Sequence, residues 1–534
     1  MKTGIFGGSF DPVHSGHVGI AKRAISELSL DRLLVVPAAV SPFKTEKGQD
    51  ANPVYDRLAL VKAAFADVPG AVVDDRELRR GGVSYAIDTV REIAGENPGA
   101  EIVFIIGEDS VEGLPKWKDY GELKKLCEFR SFPRTRESST EIRRRLAAGE
   151  PVDDMVPAAV ADLIRRARKT YRIFVVNPGS TSTKIELFEN GRSVAKANVF
   201  HDSTVLRSFP TINDQLDYRM ETVRAWLKEN GLDLRGVDAI VGRGGACHPL
   251  EGGTYEVSDR MIADIRAAVG GIYHSSMLGV QMAKELQSEY GGLLLTVDPV
   301  MVDEYQDVAR ITGVKGIYRR SATHALNQKA TARFHAAKTG RRYEDLNLIV
   351  CHIDGGITVM AHEHGRMVDG NNGSGGEGPL TPTRMGSMAL TDFIGLLESR
   401  QAKPTGLNLE TFRRLCSVAG GLSSWFGTSN SDKVHALVEQ GDETATLVWK
   451  AMIYQISKSI GAMAAVLRGD VDGIVLTGGL MRFDDILEGV REQCGWIAPV
   501  ASYPGELEHE AMRDGALRVL RGEEKAKVYL GRTR

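Results

Sequence analysis

The sequence predicts an α/β protein of several domains, and three observations support this prediction. Short apolar runs of strand length alternate with stretches of helical apolar spacing along the 534 residues. Several of these runs end beside Gly, Asp or Asn, where strands commonly carry ligand-binding loops. The chain also exceeds the length of one core, because domains usually hold about 100 to 200 residues.

The first domain is expected to be Rossmann-like and to span residues 1–168. Residues 3–8 read as a strand that ends in two glycines, and residues 16–28 show the apolar spacing of a helix. This order of apolar runs is typical of parallel strands in an open doubly wound sheet, and the later runs lie at 33–37, 71–73 and 102–106. A basic segment at 165–172 marks the boundary.

The rest of the chain is expected to form two lobes, 172–325 and 326–534, with the last helix a candidate to pack back on the first lobe. Two strand-loop units, 175–184 and 351–359, resemble each other and suggest a duplicated lobe with ATP between the halves, as in actin and hexokinase. The expected buried strands are 173–176, 239–241, 293–297, 348–352 and 474–476.

Composition and charge are ordinary for a soluble globular protein and give no reason to expect a nucleic-acid or membrane partner. A formal charge of −3 gives no electrostatic reason for binding nucleic acid or anionic lipid. The five cysteines are scattered and form no C-x-x-C pair, so neither a disulfide framework nor a zinc site is indicated. We find neither a signal-peptide pattern nor an apolar run of spanning length, and we expect a soluble cytoplasmic protein.

A glycine turn with two histidines follows the first strand. Gly8 and Ser9 begin the turn, and His14 and His17 lie where the next helix starts, so backbone N–H groups and the helix dipole can hold phosphates. Simple helix capping is the other explanation for the histidines. The turn and the segments after it resemble nicotinate-nucleotide adenylyltransferases, whose motifs match in order at 42–44, 84–89, 107–110, 114–117 and 138–143.

This resemblance implies roles for several side chains of the first domain. His14 and His17 would stabilise the charge that forms on the α-phosphate during nucleotidyl transfer. Trp117 would stack on the pyridine ring, although core packing would equally explain an aromatic residue there. The residues that bind ATP would be Gly8, Ser9, Lys44, Ser139, Thr140 and Arg143. The other residues that bind the substrate would be Tyr85, Thr89 and Asp109. The segment between Trp117 and Ser138 is shorter than in the family, whose members usually have a strand, a helix and a second strand there. Residues 128–132 are a candidate for what remains of that strand.

The second phosphate-binding candidate is the loop at 177–184, where small residues allow a tight hairpin. From residue 172 to about 530 the chain resembles butyrate kinase, of the acetate and butyrate kinase family. The further segments that carry this resemblance are 241–245, 251–255, 297–300, 324–329, 377–379 and 476–480.

The kinase resemblance implies a site dominated by cations. Arg243 and Arg384 match the two arginines that bracket the carboxylate and the transferring phosphoryl group. His324 would stabilise the transferring group. Asp298 would orient substrate or magnesium-bound water, and a buried structural carboxylate is the alternative. His274 would contact substrate and His352 would contact ATP, with a structural role as the alternative for both.

The same resemblance implies an ATP and magnesium site. Asn177 and Glu508 are the expected Mg²⁺ ligands. Asp354 stands where family members often have Gly, and residues 371–376 are richer in glycine than expected near the acyl pocket. The ATP residues would be Asn177, Ser180, Thr181, Ser182, Lys184, His352, Gly355, Gly356, Thr477, Gly478 and Gly479.

The sequence therefore predicts a bifunctional enzyme. Its kinase would convert ATP and butyrate reversibly to ADP and butyryl phosphate, as a homodimer, and its first domain would adenylylate nicotinate mononucleotide. The alternatives are a kinase for a branched short-chain acid and a catalytically silent first domain.

Overall fold

The structure is a computed structural model and describes residues 1–42, 56–133, 135–373, 375–398 and 409–531. The chain divides into two compact units. The first comprises Met1–Lys169 with Arg521–Glu523, and the second comprises Thr170–Leu520 with Glu524–Arg534. Within the described ranges, no helix combines the length and apolar character that crossing a membrane requires.

The first unit contains one five-stranded sheet in the order β3-β2-β1-β4-β5, and all of its neighbouring strands are parallel. Apolar side chains are buried on both faces of this sheet, which confirms the predicted Rossmann-like, doubly wound arrangement. The strands are β1 Lys2–Gly8, β2 Arg32–Pro37, β3 Ala71–Val73, β4 Glu101–Gly107 and β5 Glu128–Phe132.

Seven α-helices of the first unit lie within its described residues. The first begins directly after the glycine turn, with His14 as its N-cap. They are α1 Ser15–Glu27, α2 Arg57–Phe65, α3 Arg76–Arg80, α4 Ala86–Glu96, α5 Tyr120–Leu126, α6 Ser139–Ala148 and α7 Ala158–Arg168. The short segment between Trp117 and Ser138 therefore contains one helix and β5, and β5 is an edge strand beside β4.

The second unit contains two sheets. The seven-stranded sheet has the order β17-β10-β11-β9-β6-β7-β8, and the five-stranded sheet has the order β14-β13-β12-β15-β16. The strands are β6 Arg172–Pro178, β7 Ser182–Glu189, β8 Arg192–Phe200, β9 Ala239–Gly242, β10 Thr254–Glu256, β11 Leu293–Val297, β12 Asn347–Ile353, β13 Ile357–Glu363, β14 Arg366–Gly370, β15 Gly473–Gly478, β16 Val500–Pro504 and β17 Lys527–Val528.

The helices of the second unit cover the two sheets. The last of them buries Ala511, Met512 and Ala516 against β6, β9 and β11 of the seven-stranded sheet. The helices are α8 Ser203–Ser208, α9 Leu216–Glu229, α10 Asp259–Arg266, α11 Gly279–Tyr290, α12 Asp307–Arg310, α13 Ala325–Lys338, α14 Leu390–Glu398, α15 Leu409–Ser417, α16 Leu422–Phe426, α17 Ser431–Glu439, α18 Glu443–Val466, α19 Asp484–Cys494 and α20 Glu508–Arg521.

The two sheets repeat one hairpin arrangement. In the first, β6 pairs antiparallel with β7 and parallel with β9. In the second, β12 pairs antiparallel with β13 and parallel with β15. The related strand-loop units that the sequence predicts at 175–184 and 351–359 thus occupy equivalent places in the two sheets. This repeat supports the predicted two-lobed kinase fold.

Candidate functional site

In the first unit, the glycine turn and the start of α1 bring His14 and His17 together. Their rings stack with centroids 3.7 Å apart, and the backbone N–H of His14 donates to Nδ1 of His17 over 3.2 Å. Burial, together with the nearby His14, lowers the pKa of His17 to about 3. His17 is therefore neutral at physiological pH, with its proton on Nε2, so this ring is a hydrogen-bond donor.

The start of α6 contacts the same turn. The Ser139 hydroxyl donates to the Pro12 carbonyl oxygen over 3.0 Å, and Nη1 of Arg143 donates to the carbonyl oxygen of Asp11. Arg143 also donates to the Thr140 hydroxyl over 3.4 Å. The structure thus brings the predicted phosphate residues of α6 to the histidine turn despite the short connection before it.

A cleft of about 270 Å³ opens beside this turn. Four of the predicted nucleotide and substrate residues line it, namely Gly8, Ser9, Tyr85 and Trp117. Trp117 lies edge-on to Phe104, with the ring centroids 5.7 Å apart.

Two predicted substrate residues lie outside the lining of this cleft. Thr89 is buried and donates its hydroxyl to Glu77, a residue that does line the cleft, and Asp109 is exposed. Lys44 is outside the described residues. Sequence reasoning missed Arg57, which donates to the Ser9 carbonyl oxygen over 2.7 Å and so holds the turn in place.

In the second unit, the first phosphate hairpin joins β6 to β7 through residues 179–181. A fully buried arginine, Arg219, supports this turn by donating to the carbonyl oxygens of Gly179 and Ser180, each over 3.0 Å. Burial lowers the pKa of Arg219 to about 10. These bonds hold the turn that contains Ser180, Thr181 and Ser182. Sequence reasoning missed Arg219.

Arg243 follows β9 and meets the two predicted metal ligands. Its Nη1 is paired with Glu508 and lies 3.4 Å from Oδ1 of Asn177. Asn177 donates from Nδ2 to the same carboxylate over 2.8 Å. Burial alone would raise the pKa of Glu508, but Arg243 and Asn177 hold it below its usual value. The carboxylate is therefore ionised.

Arg384 lies in a loop that is tied to the second phosphate hairpin. The hydroxyls of Thr381 and Thr383 both donate to the Gly355 carbonyl oxygen over 2.7 Å. The Arg384 guanidinium covers Gly356 so closely that a side chain there would overlap it. Its Nε and Nη1 are buried and have no hydrogen-bond partner among the described residues. Burial lowers the pKa of this arginine. Such donors are suited to an anionic ligand.

His324 and His352 stack with ring centroids 3.9 Å apart. Burial, His352 and the charges of Arg384 and Arg243 hold the pKa of His324 well below its usual value, and His274 contributes to the same effect. Burial lowers the pKa of His352 to about 4, and the charges of the same two arginines act in the same direction. The structure therefore brings these five cationic or imidazole side chains together.

Asn327 fixes the orientation of His352. Its Oδ1 accepts the backbone N–H of Leu507 over 2.8 Å, so its Nδ2 must be the atom that lies 2.9 Å from Nδ1 of His352. The neutral His352 ring then has its proton on Nε2, 3.9 Å from Glu506.

The Asp354 carboxylate joins the glycines of two predicted ATP loops. It accepts the backbone N–H groups of Gly355 over 2.7 Å and Gly479 over 2.8 Å. Gly478 has φ of 107° and approaches Ile353 so closely that no side chain would fit. Thr477 is buried, and its hydroxyl donates to Gly505.

Two further predicted residues lie in different surroundings: Lys184 lines a cleft, whereas Asp298 is buried. Lys184 lines a cleft of about 310 Å³ together with Asn177 and Glu508. Asp298 is buried, accepts the Gly253 N–H over 2.7 Å and pairs with Arg333 at 3.3 Å. Its catalytic role therefore stays a prediction.

Oxygen ligands suited to a hard divalent cation lie beside these loops. The Glu508 carboxylate lies beside the side-chain amide of Asn177, which donates to it from Nδ2. Glu506 and Asp354 lie close to His352, and the ligand atoms of these three residues are within 4.8 Å of one another. Burial and the nearby carboxylates of Glu508 and Asp354 raise the pKa of Glu506 to about 7. A cation would relieve this repulsion, so the oxygen groups fit magnesium, whereas the protonated Nε2 of His352 does not.

Two segments of the chain match known protein-family models. Residues 5–145 match the cytidylyltransferase-like family model, and residues 308–486 match the acetokinase family model.

Three solved structures are similar to parts of the chain. An acetate kinase from Porphyromonas gingivalis is 19% identical, with a TM-score of 0.55, over 66% of this chain and 99% of that chain. A propionate kinase from Francisella tularensis is 17% identical, with a TM-score of 0.50, over 65% and 98%. A provisionally assigned nicotinate-nucleotide adenylyltransferase from Vibrio parahaemolyticus is 25% identical, with a TM-score of 0.26, over 31% and 99%. The protein thus joins a cytidylyltransferase-like domain at its N-terminus to a C-terminal domain of the acetokinase family.

Proposed function

We propose that the second unit transfers the γ-phosphoryl group of ATP reversibly to a short-chain carboxylate, and that butyrate is the preferred acid. The observation that carries this proposal is the convergence of Arg243, Arg384 and His324, together with buried Arg384 donors that have no hydrogen-bond partner among the described residues. Two arginine forks and a neutral imidazole provide the donors that a carboxylate and a transferring phosphoryl group need.

The reaction needs alignment and charge neutralisation rather than a base. A carboxylate oxygen of the acid attacks the γ-phosphorus, the bond from that phosphorus to the bridging oxygen breaks, and ADP leaves. Arg384 would bind the charge of the acid and the transferring group, while His324 would donate to an equatorial oxygen. Asn177 and Glu508 would hold magnesium, which neutralises phosphate charge when bound with ATP.

The preference for butyrate rests on the resemblance of residues 172–530 to butyrate kinase. An acyl pocket distinguishes acids that differ by one methylene only by about 1–3 kcal/mol. Isobutyrate has the same formula as butyrate and differs only in the position of one methyl group, so it is the rival substrate. Hydroxylamine trapping with acetate, propionate, butyrate and isobutyrate tests the proposal. Butyrate should give the highest kcat/KM. A higher value for isobutyrate would contradict the preference for butyrate and support a kinase for branched short-chain acids.

We further propose that the first unit adenylylates nicotinate mononucleotide. The contacts of Ser139 and Arg143 with the turn before His14 favour this function, because they bring the predicted phosphate donors together. The mononucleotide phosphate would attack the α-phosphorus of ATP, and pyrophosphate would leave. Wild-type protein should release pyrophosphate only when both substrates are present, and His17→Ala should lower that rate. Saturable ATP binding without any release would instead indicate a silent nucleotide-binding module.

The proposal also covers the boundaries of the kinase lobes, the oligomeric state and the location of the protein. We assign the kinase lobes to 172–325 and 326–534, and we expect a homodimer formed through them, which light scattering would measure. A cytoplasmic location would suit both activities, since the five cysteines are free thiols.

A further inference from the structure

Behind His324 lies a chain of four buried polar side chains, Tyr343, His362, Gln328 and Thr358. The Tyr343 hydroxyl is 2.6 Å from Nδ1 of His362, and Nε2 of His362 is 3.1 Å from Oε1 of Gln328. Nε2 of Gln328 is 2.7 Å from the Thr358 hydroxyl, which is 3.0 Å from Nδ1 of His324. The chain ends at the histidine that the proposed kinase mechanism uses.

The direction of these hydrogen bonds is set at Gln328. Its Nε2 lies 3.0 Å from the carbonyl oxygen of Thr358, which can only accept, so this atom must be the amide nitrogen. The Gln328 oxygen therefore faces His362, and His362 must donate from Nε2. Burial lowers the pKa of His362 to about 3, so its Nδ1 carries no proton and accepts the Tyr343 hydroxyl.

The hydrogen bonds of the Thr358 hydroxyl determine which nitrogen of His324 is protonated. Its oxygen accepts the Gln328 amide, and within the described part of the chain the only acceptor for its proton is Nδ1 of His324. If His324 carried a proton on Nδ1, the buried hydroxyl would lose its acceptor, which costs about 1–3 kcal/mol. The Thr358 side chain is fully buried, so bulk water does not reach it to replace that acceptor.

We propose that Tyr343, His362, Gln328 and Thr358 hold His324 in the tautomer that is protonated at Nε2. Thr358 and Gln328 are thus positioning residues for phosphoryl transfer, an assignment that rests on the proposed kinase function. The chain leaves His324 a neutral donor with a fixed orientation. A neutral ring avoids repulsion from Arg243 and Arg384, whose charges act on it, and it needs no reorientation in the transition state.

Nitrogen NMR of the full-length wild-type protein, labelled with ¹⁵N-histidine, tests the tautomer directly. The His324 signal is assigned by its loss in His324→Gln, and it should show a protonated Nε2 and a bare Nδ1. A protonated Nδ1, alone or in an imidazolium ring, would overturn the proposal. This measurement does not depend on turnover, so a wild-type protein without acyl phosphate formation would refute the proposed function separately.

Thr358→Val and Thr358→Ser form a matched pair for the role in catalysis. Valine keeps the shape but removes the hydroxyl, so kcat should fall about 10- to 100-fold with little change in KM for either substrate. Serine restores the hydroxyl and should recover most of kcat. Equal kcat values in the two folded variants would contradict a positioning role. If the valine variant does not fold, the wild-type NMR spectrum still decides between the tautomers.

Discussion

Replacing Arg384 by Met should remove phosphoryl transfer without destabilising the protein. Nε and Nη1 of this guanidinium are buried without a partner among the described residues, and burial lowers its pKa. The protein therefore gains little from this charge in the absence of substrate. Losing a donor that acts on the transition state typically costs about 100- to 1000-fold in kcat, or about 3–4 kcal/mol. Since an uncompensated buried charge is removed, the unfolding temperature should equal or exceed that of the wild type.

Arg243→Met is the matched comparison, because Arg243 does have a partner. It pairs with Glu508, which is 8% exposed, and helps to keep that carboxylate ionised. Removing the arginine leaves a buried charge without its cation, which typically costs about 3–5 kcal/mol. Arg243→Met should therefore lose both turnover and stability.

The assay combines hydroxylamine trapping of the acyl phosphate with thermal unfolding of the same samples in the absence of ligands. Loss of turnover should occur in both variants, and a lower unfolding temperature only in Arg243→Met. Near-normal turnover in Arg384→Met, or an equal loss of stability in the two variants, would refute the reasoning from their different partners.

Two further substitutions test other contacts. Asp354→Gly frees the N–H groups of Gly355 and Gly479 to bind phosphate. Initial-rate kinetics with excess magnesium should therefore give a lower KM for ATP. A higher KM would mean that the Asp354 carboxylate helps to hold the cation. For His201, which is 5% exposed, burial and then the charge of Arg219 lower the pKa from 6.5 to about 4. Above pH 6.5 the ring is neutral in the folded and unfolded states, whereas below it only the unfolded chain takes up the proton, so stability falls by about 1.4 kcal/mol per pH unit down to about pH 4. His201→Gln should therefore show a smaller fall in unfolding temperature between about pH 7 and pH 5, and an unchanged fall would contradict the assignment.

Local sequence patterns predict much of this fold because they record which segments are buried. The apolar runs at 173–176 and 348–352 lie inside β6 and β12, and the expected repeat of their loops reappears as two equivalent hairpins. The candidate remnant at 128–132 is strand β5. Burial and periodicity are local properties, so a single sequence reveals them.

Contacts between distant segments could not be predicted in this way. Arg219 lies on an amphipathic helix, and nothing in its neighbours indicates that it supports a turn about 40 residues earlier. Gln328 and His362 likewise give no local signal of their hydrogen bond. Asp354 stood out as a departure from the resembled family, yet its bond to Gly479, 125 residues away, required the structure.

The most direct test of the kinase site asks whether an oxygen of the acid attacks phosphorus. Wild-type protein is incubated with ATP, magnesium and butyrate labelled with ¹⁸O in both carboxylate oxygens, and the product is cleaved with hydroxylamine at its acyl carbon. Direct attack makes the acid oxygen the bridge to phosphorus, so the phosphate released should carry one ¹⁸O atom. Unlabelled phosphate, or phosphate formed at the same rate without butyrate, would contradict carboxylate phosphorylation by this protein.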